Sequence, residues 1–511
     1  MMKHHLLRGG PPVAAGAESL LDALEQRAAR AEPWLVFHQG RSFESVTAAQ
    51  IVERARGWSE ALAAAGAGPG QQVGIWHPNS AEFVASFFGA LGTGATAVPL
   101  PWPVIEGDFS AALELLRPLL QRARISLVAA PERARVQAAG VSFVAERPAP
   151  AGWVRRPAAE DVAFLQFTSG STGAPRGAVI THRAALCNAR ALVARLDLTP
   201  ADVGVSWIPF FHDMGLIGVL LASLTGGFPV HVLRPAQFLL HPWSWLELVG
   251  ETGASLTVGP DFGYAFAARR CGERKFSLGS LRCALSGSEP LHLATLDAFD
   301  ARFARDGFRP EAFVGAYGLA ENTLAVTAGP ARAHLHHGAR GRITPSVGQP
   351  LPGTEVAILA GEIWVRSPSL MEGYFEAPAD SARALVDGWL RTGDLGVVEA
   401  GNLFVTGREK ELVIKAGQKF HPAEIEELVV RCLDAPLNGV AVFNDAEALV
   451  LVIEQRRAQP EPDTAGVRAL IVERLGVRVD RVQWVPPGTL PRTTSGKLRR
   501  AACAELFGGP G

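Results

Sequence analysis

Residues 168–177 read Thr168-Ser169-Gly170-Ser171-Thr172-Gly173-Ala174-Pro175-Arg176-Gly177. Four hydroxyl side chains and three glycines share these ten positions. The apolar run Val162 to Phe167 leads in and Ala178-Val179-Ile180 leads out, so the flanks read strand–loop–strand. A turn so rich in small residues suits the wrapping of polyphosphate oxygens. Glycine lets backbone N–H groups approach an anion, and hydroxyls donate further hydrogen bonds. Taken alone, the stretch reads equally as a flexible Gly/Ser connection. It lacks the Gly-x-x-x-x-Gly-Lys-Ser/Thr pattern of the common nucleotide triphosphatases.

Around this loop, strand patterns alternate with helical ones. Leu20 to Ala31 reads as an amphipathic helix behind Ser19 as N-cap. Ala48 to Ala65 reads as a second, closed by Gly66-Ala67-Gly68-Pro69-Gly70. Gln72 to Trp76 reads as a strand, Ser80 to Leu91 as a helix and Ala95 to Pro99 as a strand. The alternation runs on through Ala254–Val258 and Cys283–Ser286, which predicts α/β layers with a mostly parallel sheet. From Gly361 to Val405 the pattern changes to short strands and turns. Beyond it the expectation is a strand over Glu411–Lys415, a helix over Pro422–Cys432 and strands over Val440–Phe443 and Leu449–Ile453. A helix over Ala465–Leu475 and a strand over Val482–Val485 follow. The expected class is α/β: a large N-terminal multi-layer domain, residues 1–408, and a small C-terminal α+β domain, residues 409–511, joined by a hinge. Arg456 to Thr464 reads as a surface loop.

A chain of 511 residues calls for roughly three or four core-forming units. A net charge of −1 points neither to nucleic acid nor to disorder. The five cysteines are scattered without a Cys-x-x-Cys pair, as expected of free thiols in a reducing cytoplasm. The N-terminus lacks the apolar stretch of a signal peptide. The longest apolar tract, Met214 to Val232, is broken by Gly215, Gly218, Gly226, Gly227 and Pro229, short of the ~20 residues a membrane span needs. The expectation is a cytoplasmic protein with no membrane span and no nucleic-acid partner.

Further pieces accompany the loop, in this order: Tyr317-Gly318-Leu319-Ala320-Glu321, Leu390-Arg391-Thr392-Gly393-Asp394-Leu395, Gly407-Arg408-Glu409-Lys410-Glu411, Gly417-Gln418-Lys419-Phe420-His421-Pro422, and Pro491-Arg492-Thr493-Thr494-Ser495-Gly496-Lys497. Together they resemble the adenylate-forming superfamily of acyl-CoA synthetases, peptide-synthetase adenylation domains and luciferases, over essentially the whole chain. Within it, Trp207-Ile208-Pro209-Phe210-Phe211-His212-Asp213-Met214-Gly215-Leu216, Gly259-Pro260-Asp261-Phe262-Gly263-Tyr264 and Ser286-Gly287-Ser288-Glu289-Pro290 are similar to segments of fatty acyl-AMP ligases.

The resemblance implies that a carboxylate attacks the α-phosphate of ATP and expels pyrophosphate, followed by transfer to an acyl carrier protein acting in trans or to coenzyme A. Such catalysis is positioning plus charge neutralisation. It implies Thr168 to Gly173 and Arg176 on the phosphates and Glu321 as the Mg²⁺ carboxylate, against a helix-cap glutamate. It also implies Tyr317 with Gly318 against adenine and Gly287, Ser288, Glu289 and Pro290 as the opposite wall; unaided, a core tyrosine is as good a reading. Asp394 and Arg408 would take the ribose, where Asp394 alone reads as a turn residue. Lys497 would bridge carboxylate and α-phosphate, against a solvated lysine, and Lys410 would be the hinge. His212 would gate carboxylate access, against a packed histidine. Trp207, Phe210, Phe211, Phe262, Tyr264 and Phe266, with Asp261, would line an acyl tunnel or belong to the core. His334, His336 and His337 read as a surface loop rather than a metal site.

Two departures stand out. Arg176 replaces the usual lysine of the loop, keeping charge but changing geometry. About forty residues separate Glu321 from Glu362, where fatty acyl-AMP ligases carry a longer segment that restrains the small domain.

Overall fold

The computed structural model describes residues 5–509 apart from positions 15, 41, 105, 137–139, 146–151, 169–174, 339–341, 416–417, 434–438, 447, 455–462 and 493–497. Among the described residues one sheet of the large domain runs Ser142–Val144, Leu127–Ala129, Gln72–Ile75, Thr96–Pro99, Val162–Thr168, Arg176–Thr181. Every neighbouring pair is parallel except the last. Its strands are apolar on both sides, as a parallel sheet covered on both faces requires. Val73, Ile75, Ala97 and Phe164 join the core that holds the helices Ala48–Ala64 and Ala81–Leu91. Val98, Val128 and Leu165 turn to the other side, onto Leu113, Leu116 and Leu120 of the helix Phe109–Arg122.

A second sheet runs Gln349–Pro350, Ala325–Pro330, Phe313–Gly318, Cys283–Ser286, Leu256–Gly259, Gly204–Ser206, Val230–Val232, Leu35–Gln39, Ser42–Val46. Its central strands are parallel and its edge pairs antiparallel. It shares one core with the first sheet. A third, antiparallel sheet is built from His5–Arg8, Glu355–Leu359, Glu362–Arg366, Trp389–Glu399 and Leu385–Val386, with Asn402–Arg408 also paired to Trp389–Glu399.

The small domain has its own core. Val440, Val442, Leu449, Leu451 and Ile453 pack with residues of the helices Pro422–Leu433 and Thr464–Leu475. The alternate residues Ala441, Phe443, Val450 and Val452 turn to Leu490 and Cys503, the period-two alternation of strands covered on both faces.

Local differences from the expected elements have local causes. The first helix, Leu20–Ala28, ends before Glu32-Pro33, where proline disfavours helical backbone in the residue ahead of it. Glu411 joins a 3₁₀ turn, Glu409–Glu411, and its carboxylate accepts from Arg500 at 2.6 Å, so the strand begins only at Val413. The Met214–Val232 tract divides into a π-helical stretch, Leu216–Leu221, a helix Ala222–Gly226 stopped by Gly227 at φ +79°, and the strand Val230–Val232. Among the described residues no helix is long and apolar enough to cross a membrane. All five cysteines are free. The Arg456–Thr464 loop falls largely outside the described residues.

Candidate active site

The phosphate-loop stretch springs from an antiparallel hairpin whose last pairs are Phe167 with Gly177 and Thr168 with Arg176. Ser169, Gly170, Ser171, Thr172 and Gly173 lie outside the described residues, and for Thr168 only the backbone is described. Gln166, on the entering strand, donates through Nε2 to the Phe211 carbonyl (3.1 Å), tying the loop's base to the His212 segment. On the exiting strand the Arg176 guanidinium lies over the Tyr374 ring, 4.4 Å from its centroid.

Glu321 sits in one 3₁₀ turn, Ala320–Asn322, just beyond the strand Phe313–Gly318. There the chain reverses through Thr323 at φ +64° and ψ −56°, and Leu324 N–H donates to the Asn322 carbonyl at 2.7 Å. This is a γ-turn of the rare, strained hand, in a β-branched residue. Backbone strain of this kind costs on the order of 1–3 kcal/mol and persists only where surrounding bonds dictate it. Those bonds are present and buried. Thr323 Oγ1 donates to the Ser369 carbonyl (2.7 Å). Asn188 donates to the carbonyls of Asn322 (3.1 Å) and Ala325 (2.9 Å) and accepts from Ala325 N–H (3.0 Å). Gly318 permits the turn's close return, since a Cβ there would stand 2.1 Å from the Leu324 carbonyl oxygen.

The turn delivers the Glu321 carboxylate to Tyr374, whose hydroxyl donates to Oε1 at 2.7 Å. Burial, and then the Glu321 charge, push the Tyr374 pKa up, so the hydroxyl stays a donor. Among the described residues Oε2 takes no hydrogen bond. A carboxylate suits Mg²⁺, a hard cation that takes oxygen ligands and keeps phosphates and water in its shell. Among the described residues no cluster of three or more His, Cys, Asp or Glu could hold a metal by protein groups alone.

Tyr317, Asp394 and Arg408 come together from three strands. The Tyr317 hydroxyl donates to Asp394 Oδ2 at 2.7 Å, and Arg408 Nε lies 2.8 Å from Oδ1. Asp394 and Arg408 are cross-strand partners. Asp394 N–H donates to Thr392 Oγ1 (3.0 Å), and Glu362 Oε1 accepts from Gly393 N–H (3.0 Å), which sets the turn ahead of the aspartate. Asp394 is 3% exposed, while the Arg408 side chain is half-exposed. Burial, followed by the Asp394 charge, holds the Tyr317 pKa well above its ordinary value. Asp394 raises that of Arg408.

Gly287 lies against the backbone of Ala316, one residue before Tyr317. Ser288 adopts φ +72° and reaches Met214 Sδ at 3.7 Å. Glu289 Oε1 accepts from Phe262 N–H at 2.6 Å. Pro290 is exposed. His212 caps a short helical turn, its Nδ1 2.7 Å from Asp213 Oδ1 and 3.2 Å from Met214 N.

Two residues assigned by resemblance to the acyl site are buried, with their polar atoms bonded inside the protein. Tyr264 is fully buried between Trp245, Phe299 and Phe313, and its hydroxyl donates to the Leu285 carbonyl (2.9 Å). The Asp261 carboxylate, 1% exposed, is consumed by His292 Nδ1 (2.8 Å), His292 N–H (3.0 Å) and Thr295 Oγ1 (2.8 Å). Trp207 is buried and stacks on Phe238 at 3.8 Å, and Phe210 is also buried. Phe262 and Phe266 are half-buried beside Trp207 and Phe238, while the half-buried Phe211 packs on a separate apolar cluster that holds Trp76 and Trp102. Of the three histidines expected in a loop, His334 lies outside any strand, while His336 and His337 do not follow the expectation. His336 lies in a strand, Leu335–His337, paired with Ile343–Pro345, and its Nδ1 meets Glu399 at 2.8 Å, an acidic partner invisible in the local sequence.

Lys410 is exposed in the 3₁₀ turn between the strands Asn402–Arg408 and Val413–Lys415. Lys497 lies outside the described residues; its neighbours Arg492 and Leu498 form an isolated bridge. The small domain meets the large one where Glu427 lies 3.5 Å from His292 Nε2 and 3.3 Å from Arg342 Nη2. Tyr374, Asn188, Gln166 and Glu362 are absent from the sequence reading of the site. Only Gly373-Tyr374, a turn residue followed by an aromatic, carries a local signal.

The model of the AMP-binding enzyme family matches residues 24–375. The chain is 33% identical to the long-chain-fatty-acid–AMP ligase FadD26 of Mycobacterium marinum, with 91% of each chain covered. A solved structure from studies of fatty acyl-adenylate ligases from E. coli and L. pneumophila is similar at a TM-score of 0.88 and 30% identity, covering 97% of this chain and 99% of that one. The fatty acyl-adenylate ligase from L. pneumophila in complex with acyl adenylate and pyrophosphate is similar at a TM-score of 0.72 and 27% identity, with 96% of each chain covered.

Proposed function

The chain belongs to the AMP-binding enzyme family, and from that premise we propose that it activates a fatty acid as its acyl adenylate and passes the acyl group to the phosphopantetheine thiol of an acyl carrier protein. A carboxylate oxygen of the acid forms a bond to the α-phosphorus of ATP while the bond to pyrophosphate breaks. The thiol then attacks the acyl carbon and AMP leaves.

In this reading the loop 168–173 and Arg176 grip the β- and γ-phosphates, Asp394 and Arg408 take the ribose, and Tyr317 backs the adenine. Glu321 holds Mg²⁺, which when bound neutralises phosphate charge. Lys497 comes from the small domain, residues 409–511 turning about Lys410, to the forming bond, where its charge counts most in the transition state. His212 with Phe211, Trp207 and Phe262 borders the acid. The supporting observation that carries the reading is the juxtaposition of a carboxylate suited to a hard cation, Glu321, with Arg176 at the exit of the phosphate loop, both on Tyr374. Five unpaired cysteines fit the cytoplasm as its compartment.

The second reading, an acyl-CoA ligase, is favoured by the short stretch between Glu321 and Glu362, which is taken up largely by Ala325–Pro330, the hairpin around His336 and Glu355–Leu359. Incubation with ATP, Mg²⁺, a panel of fatty acids and either coenzyme A or a phosphopantetheinylated carrier separates the two. Acylated carrier is the expected product; efficient acyl-CoA formation establishes the second reading instead.

A further inference from the structure

Tyr374 stands outside every motif on which the ATP reading rests, yet it touches two of them. The segment 372–375 lies along the strand that leaves the phosphate loop. Val179 N–H donates to the Gly373 carbonyl (2.9 Å), Glu372 N–H to the Val179 carbonyl (3.0 Å) and Phe375 N–H to the Gly177 carbonyl (2.8 Å), with Ala178 facing Tyr374. Tyr374 N–H is held by Ser381 Oγ at 2.8 Å. The tyrosine is thereby fixed as an edge residue of the loop's own hairpin, 7% exposed. The same segment is laced to Glu321 twice. Met371 N–H donates to the Glu321 backbone carbonyl (2.9 Å), and the Tyr374 hydroxyl donates to Oε1 (2.7 Å). The other face of the contact is the Arg176 guanidinium, 4.4 Å above the ring.

The chemistry of a carboxylate makes this arrangement matter. The terminal torsion of a glutamate is broad and nearly two-fold, so a lone Glu presents either oxygen over a range of angles. A donor on one oxygen selects one orientation and leaves the other oxygen to a cation. Outer groups of this kind orient metal ligands and are worth roughly 10–100-fold in metal affinity or activity. The ring acts separately, seating a guanidinium on its π face.

We propose that Tyr374 is the positioning residue that couples the phosphate loop to the metal carboxylate, its hydroxyl orienting Glu321 for Mg²⁺ and its ring seating Arg176 at the same triphosphate. This rests on the reading of Glu321 as the Mg²⁺ ligand. Tyr374 does not touch the reacting atoms; it acts through its two partners.

Tyr374→Phe separates the two roles, because it keeps the ring under Arg176 and removes only the hydroxyl. The test measures by calorimetry, on the full chain, the affinity for ATP with Mg²⁺ and for ATP in EDTA, in the parent, Tyr374→Phe and Glu321→Gln. The parent binds MgATP more tightly than metal-free ATP. Glu321→Gln removes most of that advantage. Tyr374→Phe reduces it roughly tenfold while leaving metal-free ATP unchanged. Thermal unfolding without nucleotide establishes that both variants are folded. Equal weakening of both affinities in Tyr374→Phe overturns the proposal, because a merely loosened fold does that. An effect of Glu321→Gln with none of Tyr374→Phe overturns the coupling and keeps Glu321 as the ligand. No effect of Glu321→Gln removes that ligand assignment, and the proposal with it.

Discussion

Along the proposed ATP wall, Tyr317 and Arg408 hold the two oxygens of the nearly buried Asp394 at 2.7 and 2.8 Å, and the Glu321 turn is locked by Asn188 and Thr323. Where the small domain meets the large one, Glu427 is a third exposed and its partners stand off at 3.3 and 3.5 Å. The apolar cores of the two domains share no residue. The first region fixes polar groups before substrate arrives, which is what stabilisation of developing charge requires. The second joins through longer, partly solvated charge pairs, the kind of contact that a domain can exchange during a cycle at small cost. In the proposed cycle the ligands stay in that wall and one charge, that of Lys497, comes from the small domain.

The sharpest way to break that contrast is Lys497→Ala. It removes the group brought from outside, and adenylate formation falls by roughly 10²–10³-fold while ATP affinity stays near the parent value. Unchanged pyrophosphate exchange would refute the role. Asp394→Asn attacks the wall instead. Hydrogen bonds to a charged group contribute about 1.5–3 kcal/mol, so ATP binding weakens about ten- to a hundredfold, read from the dissociation constant. A variant with parental ATP affinity would take Asp394 out of the nucleotide site.

At the junction, His292 gives a pH signature. Burial alone would lower its pKa, but Asp261, Glu427 and Glu289 outweigh burial and push it up to about 9. A group whose pKa is raised on folding adds stability that is full below the unfolded value of about 6.5. That stability declines as pH rises toward 9 and is gone above it. The melting temperature is therefore expected to drop between pH 6.5 and 9, and His292→Gln flattens that drop. An identical pH profile in the variant contradicts the assignment. The smallest effect is that of Glu427→Gln. A partly solvated pair at these distances contributes about 1 kcal/mol, so adenylation and acyl transfer shift in opposite directions by a few-fold, as when one domain orientation loses support. Parallel changes in both rates would mean that Glu427 stabilises the fold rather than an orientation.

Much of this architecture is legible in the sequence. The hairpin that carries the loop follows from two apolar runs around a Gly/Ser stretch, and the alternation of strands and helices from Gln72 onward follows from period and punctuation. The roles proposed for Asp394 and Arg408 needed the ordered motifs, because each alone is an ordinary turn or strand residue. Tyr374 and Asn188 stayed hidden for a physical reason. Their partners lie 53 and 134 positions away, and a buried tyrosine or asparagine leaves no periodic trace of a distant acceptor. A separation of 63 positions likewise hid Glu399 from His336. Tyr264 and Asp261 show the converse case. Their segment resembles one in fatty acyl-AMP ligases, while their side chains bond the Leu285 carbonyl and His292.

The protein joins a fatty acid to AMP with release of pyrophosphate. The direct measurement is exchange of labelled pyrophosphate into ATP by the purified full chain with Mg²⁺, across a panel of fatty, aryl and amino acids. Exchange that depends on a fatty acid and disappears in Lys497→Ala is the predicted result. No exchange with any acid, or exchange supported only by amino acids, would contradict the account.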